Sequence, residues 1–402
     1  MQSLTIGANQ AGQRFDRFLH KYLSEAPNGF LYKMLRKKNI TLNGKKAQGK
    51  EILVQGDEVC LYLSEETLQT FGPCSPGLPL AHAKMSRKAQ TSAEARISAI
   101  RQDLSARIVY EDEHVLIVNK PSGLLTQKAV RADYSLNDWL LDYLLEARDP
   151  AGRPMLDPAE LRTFRPSVCN RLDRNTGGLV LCGKTLTGNQ ELSRLLRERA
   201  VRKFYRAMVA GYLDTPCDME AYLVKDQWKN KVQIHQAQTC PEQTFTVQTD
   251  PDQTRTEPDD PAQTHSAQVR PAQTRPIQFR NALQSPEPSG QDGSAYIHTA
   301  YQPLRMGKGL TYLEVELFTG KPHQIRAHLA AIGHPVIGDY KYGDSEQNEL
   351  YRTRRHVTSQ LLHAYRMEFP ELSGALSGLS KKTVLAPLPA ALRKLAAELS
   401  VS

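Results

Sequence analysis

The sequence predicts an α+β protein, with a small N-terminal unit ahead of a larger core. Residues 311–320, TYLEVELFTG, alternate apolar with polar side chains, which is the period of a β-strand. Residues 135–147, SLNDWLLDYLLEA, carry their apolar side chains along one helical stripe. At 402 residues the chain is long enough for two or three domains. Segments of both kinds recur along the chain, so we expect helices and strands in each unit.

Composition and charge favour a protein that binds a polyanion. The chain is 40% hydrophobic and 24% charged, and its net charge is +9. An excess of positive charge suits a nucleic acid partner, although it says nothing about the fold. The N-terminal residues lack the apolar core of a signal peptide, and no stretch approaches the ~18 apolar residues of a membrane span. We therefore expect a cytoplasmic protein with no membrane contact.

The cysteines and glycines give no sign of a metal or a cofactor. The six cysteines are scattered and form no C-x-x-C pair, so a zinc site is not expected. A reducing cytoplasm is the simplest interpretation of cysteines scattered in this way. The pair Gly177-Gly178 lacks the G-x-G-x-x-G spacing of a dinucleotide-binding loop. We expect neither a metal site nor a cofactor-binding site.

Residues 1–64 are predicted to form the N-terminal unit. Residues 14–23 and 30–36 carry apolar side chains at helical spacing, which predicts two short helices. The segments ITLNGKKA and EVCLYL then predict strands, and Asn43-Gly44 is the signal for a turn. This order of elements resembles the alpha-L RNA-binding motif of S-four-like domains, which RFDRFLHKYL and FLYKMLRKKNITLNGKKA match.

A run of positive charge crosses the N-terminal unit between residues 33 and 50. It contains seven basic residues and no acidic ones: Lys33, Arg36, Lys37, Lys38, Lys45, Lys46 and Lys50. A run of like charges is usually a solvated face. This run crosses a predicted helix, a turn and a strand, and we therefore predict that it binds RNA, with the first six residues as the contacts.

The rest of the chain divides into a linker, a core and an insertion. Residues 65–104 are predicted to be a linker, because FGPCSPGLPL is rich in proline and glycine. Residues 105–402 form the predicted core. Within it, residues 236–293 contain a degenerate repeat in which PEQT, PDQT and PAQT tetrads start every ten residues from Pro241. This composition cannot bury enough apolar surface to fold, so we predict a disordered insertion that ends near Ala295.

Four further segments of the core have clear patterns. Residues 107–121 predict two strands joined by a polar turn, and residues 361–370 predict a late strand. Residues 321–333 predict a helix with a proline early and Gly333 at its C-terminal end. Residues 387–399 predict an amphipathic closing helix, and Ser135 is predicted to cap the helix of residues 135–147.

The polar loop NRLDRNTGG, residues 170–178, is the first candidate for chemistry. It places Asp173 between Arg171 and Arg174, directly before the apolar run LVLC. A carboxylate beside a buried strand would have its pKa raised by burial and lowered by the arginines. Most aspartates of this kind are turn residues paired with an arginine, so the loop alone favours catalysis only weakly.

Two other blocks carry candidate residues. Tyr205 lies in the predicted strand RKFYRAMVAGYL, where a lone tyrosine is usually a core residue. Arg326 lies on the predicted helix that follows a glycine turn. His323 and His328 are five positions apart, which is not the spacing of a helical metal pair, and we interpret them as structural or RNA-facing.

Together the three blocks resemble the RluA-type pseudouridine synthases, over about residues 105–370. Three motifs of that family are matched: the loop by Arg171, Leu172, Asp173, Thr176 and Gly178; the strand by Lys203 and Tyr205; and the turn and helix by Thr319, Gly320, His323, Gln324, Ile325, Arg326, His328 and Leu329. NKPSGLLTQ and GHPVIGDYKYG also match. Asn170 stands where the family often has histidine, and Lys321-Pro322 where it often has Arg-Thr.

The resemblance implies a fold, a reaction and roles for residues. The core would be a mixed, mainly antiparallel sheet of pseudouridine synthase type. The enzyme would isomerise specific uridines in RNA without a cofactor. Asp173 would be the catalytic carboxylate, Arg326 its cation and Tyr205 the stacking ring. Arg171 would fill the space left by a flipped uridine, and Arg174 would contact RNA.

Several alternatives stay open at this point. Asp173 could add to the uracil ring, attack the anomeric carbon or remove a ribose proton. Large-subunit ribosomal RNA is the favoured substrate, and transfer RNA is the second. A non-catalytic RNA-binding protein of ribosome assembly would suit the basic unit, although Asp173, Tyr205 and Arg326 are all present. A nucleobase-cleaving hydrolase would also flip its base, but it would release free uracil.

Overall fold

The computed structural model describes most of the chain outside the predicted insertion. The described residues are 2–7, 9–71, 87–130, 132–148, 152, 155–158, 161, 163–226, 231–238 and 294–401. The repeats of the predicted insertion and the proline-rich centre of the predicted linker lie outside them. Among the described residues, no helix is long and apolar enough to cross a membrane.

The N-terminal unit has two helices packed on a small antiparallel sheet. Its elements are β1 (Gln2–Thr5), α1 (Phe15–Tyr22), α2 (Asn28–Arg36), β2 (Ile40–Leu42), β3 (Lys45–Lys46) and β4 (Glu58–Leu61). The strand order is β1-β4-β2-β3. Phe15, Phe18 and Leu35 are buried between the helices and the sheet. Both residues of the predicted turn, Asn43 and Gly44, have positive φ, which a tight two-residue hairpin turn requires.

The predicted linker contains two helices that pack on the units beside it. Helix α3 (Glu65–Phe71) places Phe71 against Phe30 of the N-terminal unit, with ring centroids 4.6 Å apart. Helix α4 (Arg87–Ser105) buries Leu104 in the core, and Ile100 packs beside it. Prolines and glycines at 72–80 obscured the apolar spacing on either side. These contacts favour unit boundaries at 71 and 87 in place of 64 and 105.

The core is built on one long, mixed and mainly antiparallel sheet, which confirms the predicted fold class. Nine strands run across it in the order β11-β10-β12-β13-β9-β14-β8-β6-β5 among the described residues. These strands are β5 (Ile108–Glu111), β6 (Val115–Lys120), β8 (Gly177–Gly183), β9 (Arg202–Ala210), β10 (Cys217–Asp226), β11 (Lys231–Gln238), β12 (Ala295–Gly307), β13 (Leu310–Leu317) and β14 (Leu362–Glu368). The pair β14–β8 is parallel, and its neighbours are antiparallel.

Helices and short strands complete the core around this sheet. They are α5 (Leu136–Glu146), β7 (Ser167–Val168), α6 (Leu186–Arg197), α7 (Gln324–Ala331), α8 (Ser345–Arg355), β15 (Thr383–Leu385), α9 (Ala390–Ala397) and β16 (Ser400–Val401). Ser135 caps α5 together with Asp138, as predicted. The sequence reading did not identify α6, β10 or β11. Because β11 ends at Gln238, the predicted insertion starts three residues too early.

The junction of β8 and β14 sets the position of the loop before β8. Gly178 has a φ of 119°, and a Cβ atom there would lie 2.2 Å from the carbonyl oxygen of Ala364. Only glycine allows so close an approach of two backbones at a left-handed φ. The junction brings residues 170–176 to the edge of the sheet beside α7, where the candidate site lies.

Candidate functional site

The loop of residues 170–176 is held by hydrogen bonds from the last residue of β6 and from the segment that follows it. Lys120 is fully buried and donates hydrogen bonds to three carbonyl oxygens, including that of Arg174 at 3.1 Å. Thr126 Oγ1 donates to the carbonyl of Leu172 at 2.8 Å. Burial lowers the pKa of Lys120 to about 7, against the attraction of Asp173. These bonds explain why NKPSGLLTQ accompanies the loop: it fixes the backbone on both sides of Asp173.

Asn170, one of the two departures from the family pattern, also holds this loop. Its side-chain amide donates to the carbonyl of Leu179 at 3.3 Å and its carbonyl accepts from the N–H of Leu181 at 2.7 Å. Both partners are backbone groups of β8. Asn170 therefore ties the loop to the strand and is not among the residues that line the site.

A buried glutamine fixes the turn that leads into α7. Gln324 accepts hydrogen bonds from the hydroxyl of Thr319 and the N–H of Lys321, at 2.9 and 3.1 Å. It donates to the carbonyl of His298 and to the hydroxyl of Thr299, both at 2.9 Å. The side-chain oxygen of Gln324 thus accepts two hydrogen bonds, and its NH₂ group donates two. The turn is rigid, and it sets the direction in which the first residues of α7 point.

Arg326 joins two carboxylates. Its Nη1 donates to Asp173 Oδ2 at 2.7 Å, while its Nε and Nη2 donate to the two oxygens of Asp339 at 2.6 and 2.7 Å. Burial would lower the pKa of Arg326, but the two carboxylates outweigh it and raise the pKa. A two-pronged bond of this kind fixes the guanidinium plane, so the remaining N–H is aimed at Asp173.

Asp339 and Asp173 differ sharply in exposure. The side chain of Asp339 is 1% exposed, and that of Asp173 is 26% exposed. Burial raises the pKa of Asp339, but Arg326 and the N–H groups of Lys341 and Tyr342 reverse this and lower it. Asp339 therefore anchors the arginine, while Asp173 stays open to a ligand.

Tyr205 forms one wall of the site. It lies in β9 opposite Val315 of β13 and Ala364 of β14, so its side chain stands on the face of the sheet that carries Asp173. Burial raises the pKa of Tyr205, and the charge of Asp173 raises it further. The hydroxyl therefore stays protonated at neutral pH.

These residues line a cavity of about 80 Å³ that is open to solvent. Asp173, Arg171, Tyr205 and Arg326 line it, and Leu317 and Leu362 give it an apolar floor. A carboxylate paired with a cation, beside an aromatic ring and apolar surface, suits a flat polar ring such as a nucleobase. Among the described residues, no group of three or more metal-binding side chains occurs.

The structure separates the predicted RNA contacts into three places. Arg171 is exposed at the cavity, whereas Arg174 lines a neighbouring groove with Arg96 and Asp133. The six predicted contacts of the N-terminal unit are all exposed, and none is among the residues that line the cavity: Lys33, Arg36, Lys37, Lys38, Lys45 and Lys46. Within the described part of the chain, none of these six forms an ion pair.

Three residues of the site were missed in the sequence. Asp339 and Tyr342 lie in the GDYKYG segment, which matched the family but was given no role. His323 was interpreted as structural or RNA-facing, yet its Nε2 lies 3.9 Å from Asp173 Oδ2. The signal for Asp339 was a carboxylate directly after the apolar run PVIG, because a buried charge needs a partner such as Arg326.

The chain is similar to several known proteins. Residues 114–331, more than half of the chain, match the family model described as RNA pseudouridylate synthase. Over 370 residues the chain is 26% identical to the Vibrio cholerae protein named ribosomal large subunit pseudouridine synthase C, covering 92% of this chain and 89% of that one. The Escherichia coli protein of the same name is also 26% identical, with 91% and 88% covered. A human structure titled RNA Pseudouridylate Synthase Domain Containing 4 aligns with a TM-score of 0.48 and 17% identity, covering 75% of this chain and 95% of that one.

Proposed function

We infer the substrate of this chain from the premise that it belongs to the RNA pseudouridylate synthase family. It is an RNA pseudouridine synthase, an enzyme that moves uracil from a nitrogen to a carbon linkage on the same ribose. We propose that it modifies specific uridines of large-subunit ribosomal RNA. The names of two relatives that align over about nine tenths of the chain support this substrate.

The observation that carries the proposed site is the hydrogen bond of 2.7 Å between Arg326 and Asp173 inside the cavity. We propose Asp173 as the catalytic carboxylate and Arg326 as the cation that pairs with it and orients it. An ionised carboxylate is required whether Asp173 adds to the ring, attacks the anomeric carbon or removes a ribose proton. Asp339 supports this proposal, because it holds the arginine in place from the buried side.

We propose that the flipped uracil lies against Tyr205 on the apolar floor of the cavity. The tyrosine is buried and presents its ring at the wall, and a nucleobase gains roughly 1–3 kcal/mol by stacking on an aromatic side chain. Flipping a uridine out of a stem costs a few kcal/mol. Arg171, exposed at the mouth of the cavity, would compensate for part of this by occupying the vacated space.

The N-terminal unit would add affinity for the RNA. Its basic side chains point into solvent from helix α2 and from the hairpin β2–β3. Exposed and unpaired lysines and arginines of this kind neutralise phosphates, and they release counterions when they do so. We propose that this unit contributes to binding and site choice, and not to the chemical step.

Mapping of pseudouridines tests the substrate. Ribosomal and transfer RNA from cells lacking the gene would be probed at single-nucleotide resolution, with wild-type enzyme or Asp173→Asn returned on a plasmid. We expect one or a few pseudouridines of large-subunit ribosomal RNA to disappear and to return only with the wild type. Loss confined to transfer RNA would overturn the proposed substrate. Restoration by Asp173→Asn would overturn the proposed role of Asp173.

A further inference from the structure

His323 has an unusual backbone conformation at the edge of the cavity. It precedes α7 with a φ of 58° and a ψ of 12°, in the left-handed region. A non-glycine residue in this region costs about 1–2 kcal/mol, and such strain concentrates at functional sites. The conformation turns the side chain towards Asp173 and away from the solvent side of the helix, and His323 lines the cavity.

A chain of hydrogen bonds favours one of the two ring nitrogens of His323 as the one that carries the proton. The N–H of Val232 donates to the hydroxyl oxygen of Tyr342 at 3.0 Å, and that hydroxyl lies 2.9 Å from His323 Nδ1. Because the N–H of Val232 can only donate, the hydroxyl hydrogen of Tyr342 is free to point at His323. Nδ1 then accepts, and the proton of the neutral ring lies on Nε2.

The charge of Asp173 favours the same tautomer. His323 Nε2 lies 3.9 Å from Asp173 Oδ2, so a lone pair on that nitrogen would face a carboxylate and be repelled. An N–H at that position is attracted, yet 3.9 Å is too long for a hydrogen bond. Asp173 Oδ2 already accepts from Arg326. Among the described residues the Nε2–H therefore has no acceptor, and it points into the space beside the carboxylate.

The ring of His323 is neutral at neutral pH. Burial lowers its pKa, and the nearby charges of Arg326 and Lys341 lower it further, while Asp173 opposes them. A neutral donor at this place differs from the cation of Arg326. It can bond to a ligand without adding a second charge next to Asp173.

We propose that His323 is a further catalytic residue, whose Nε2–H donates to a carbonyl oxygen of the uracil bound at Asp173, and that Tyr342 is its positioning residue. When the bond between the anomeric carbon and ring nitrogen 1 breaks, its electron pair stays on the uracil. The resulting negative charge spreads to the carbonyl oxygens, where a hydrogen-bond donor stabilises it. No proton is transferred in this step. The inference rests on the proposed site at Asp173.

Two substitutions at His323 separate the effect of side-chain length from the effect of backbone strain. Asparagine tolerates a left-handed φ but its side chain is too short to bring the amide to the position of Nε2. Glutamine is longer and can place an N–H there. We expect H323N to lower kcat about 10- to 100-fold with KM within threefold, since loss of one such donor in other enzymes costs roughly 100-fold or more. H323Q should recover a substantial part of that loss.

His356 offers a matched control for these variants. It also has a left-handed φ, of 56°, but it is exposed at the C-terminal end of α8 and does not line the cavity. H356N should keep wild-type kcat and KM. Thermal unfolding of all three variants would show that they fold. A folded H323N with wild-type kcat would overturn the inference, and it would leave the role of Asp173 intact if D173N is inactive.

The tautomer can be measured without turnover. In the free enzyme, ¹⁵N chemical shifts of labelled histidine distinguish a protonated Nε2 from a protonated Nδ1, and H323N identifies the signal. We expect wild-type His323 to carry its proton on Nε2 at pH 7. Y342F keeps the ring that lies 5.2 Å from the Arg326 guanidinium but removes the hydroxyl, so the tautomers should mix and kcat should fall less than in H323N. A proton on Nδ1 in the wild type would overturn the inference.

Discussion

At the scale of the residue, the two carboxylates that bind Arg326 differ in exposure and in the number of bonds they accept from it. Arg326 binds both, but Asp339 takes two of its N–H groups in a buried, two-pronged contact, and Asp173 takes one at the cavity. The buried pair cannot be reached by substrate, whereas the exposed one can. The same cation therefore has one buried partner and one partner that a ligand can reach.

Asp173→Asn should abolish turnover and leave RNA affinity within a few-fold. The change is nearly isosteric, but an amide can neither act as a nucleophile nor accept a proton as a base. We expect kcat to fall by on the order of a thousandfold or more. Single-turnover assays on a ribosomal RNA fragment and binding by filter retention would measure the two quantities. Turnover near the wild-type rate would contradict the assignment.

Asp339→Asn should destabilise the fold in a manner that depends on pH. Removing one partner of a buried ion pair costs about 3–5 kcal/mol. Because the pKa of Asp339 is lowered in the folded state, its stabilising effect is complete above its ordinary pKa of about 4 and is lost as the pH falls below that value.

Denaturant unfolding of the wild type and of Asp339→Asn between pH 7 and pH 3 would measure this dependence. We expect the difference in the free energy of unfolding to be constant down to about pH 5 and to shrink at lower pH. A difference that did not change with pH would show that the ion pair does not account for the effect. Asp344→Asn, at an exposed helix cap, is a suitable control.

At the scale of the element, the parallel contact between β8 and β14 decides where the catalytic loop lies. Antiparallel hairpins form most of the sheet, but this pair joins strands that are far apart in sequence. Gly177 and Gly178 make the contact close, and the loop that ends at Thr176 is held there by Gln360. Gly178, the glycine of the family motif, thus has a packing role that is separate from chemistry.

Gly178→Ala should destabilise the protein and displace the loop. Its Cβ would lie 2.2 Å from the Ala364 carbonyl oxygen, and overpacking of this kind costs about 1–3 kcal/mol in addition to the left-handed strain. Gly309→Ala is the matched control, because its φ is also positive but nothing lies within 4 Å of its Cβ. We expect a clearly larger loss of unfolding free energy in Gly178→Ala. Equal losses would contradict the role of close packing.

At the scale of the whole molecule, we propose that different parts of the chain carry RNA binding and chemistry. The exposed basic residues of α2 and β3 belong to the N-terminal unit, while the residues of the cavity all come from the core. Because α3 packs on the N-terminal unit through Phe71, the unit should be removed at residue 71 and not at 64.

Removal of residues 1–71 should weaken RNA binding and flatten its salt dependence. Each phosphate contact adds roughly 0.7–0.9 to the slope of log affinity against log salt. We expect a shallower slope and weaker binding, with the rate at saturating RNA changed less than the affinity. A full-length variant with Lys45→Gln and Lys46→Gln should show part of the same effect. Lys381→Gln, where the lysine is paired with Glu371, should show almost none.

An unchanged salt slope after truncation would show that the basic run is an ordinary solvated face. Loss of turnover at saturating RNA would show that the N-terminal unit takes part in the catalytic architecture. Circular dichroism of the truncated chain would establish that the core is folded in either case.

The sequence by itself determined many of the elements and the order of the motifs. Alternation at 311–320 and the helical stripe at 135–147 depend only on local periodicity, and the structure confirms both as β13 and α5. The loop around Asp173 was recognisable because chemistry restricts residue types at fixed spacing. Strands β10 and β11 were missed, and β11 lies directly before the repeat-containing segment.

Only the tertiary structure decided which side chains meet. Asp173 and Arg326 are 153 positions apart, and no local pattern gives their hydrogen bond. The partner of Arg326 on the buried side, Asp339, follows from the path of the chain after α7. The hydroxyl of Tyr342 lies between His323 Nδ1 and the N–H of Val232 in β11, and these three groups come from distant segments. Periodicity records which face of an element is buried, whereas a network of hydrogen bonds exists only once distant segments have packed together.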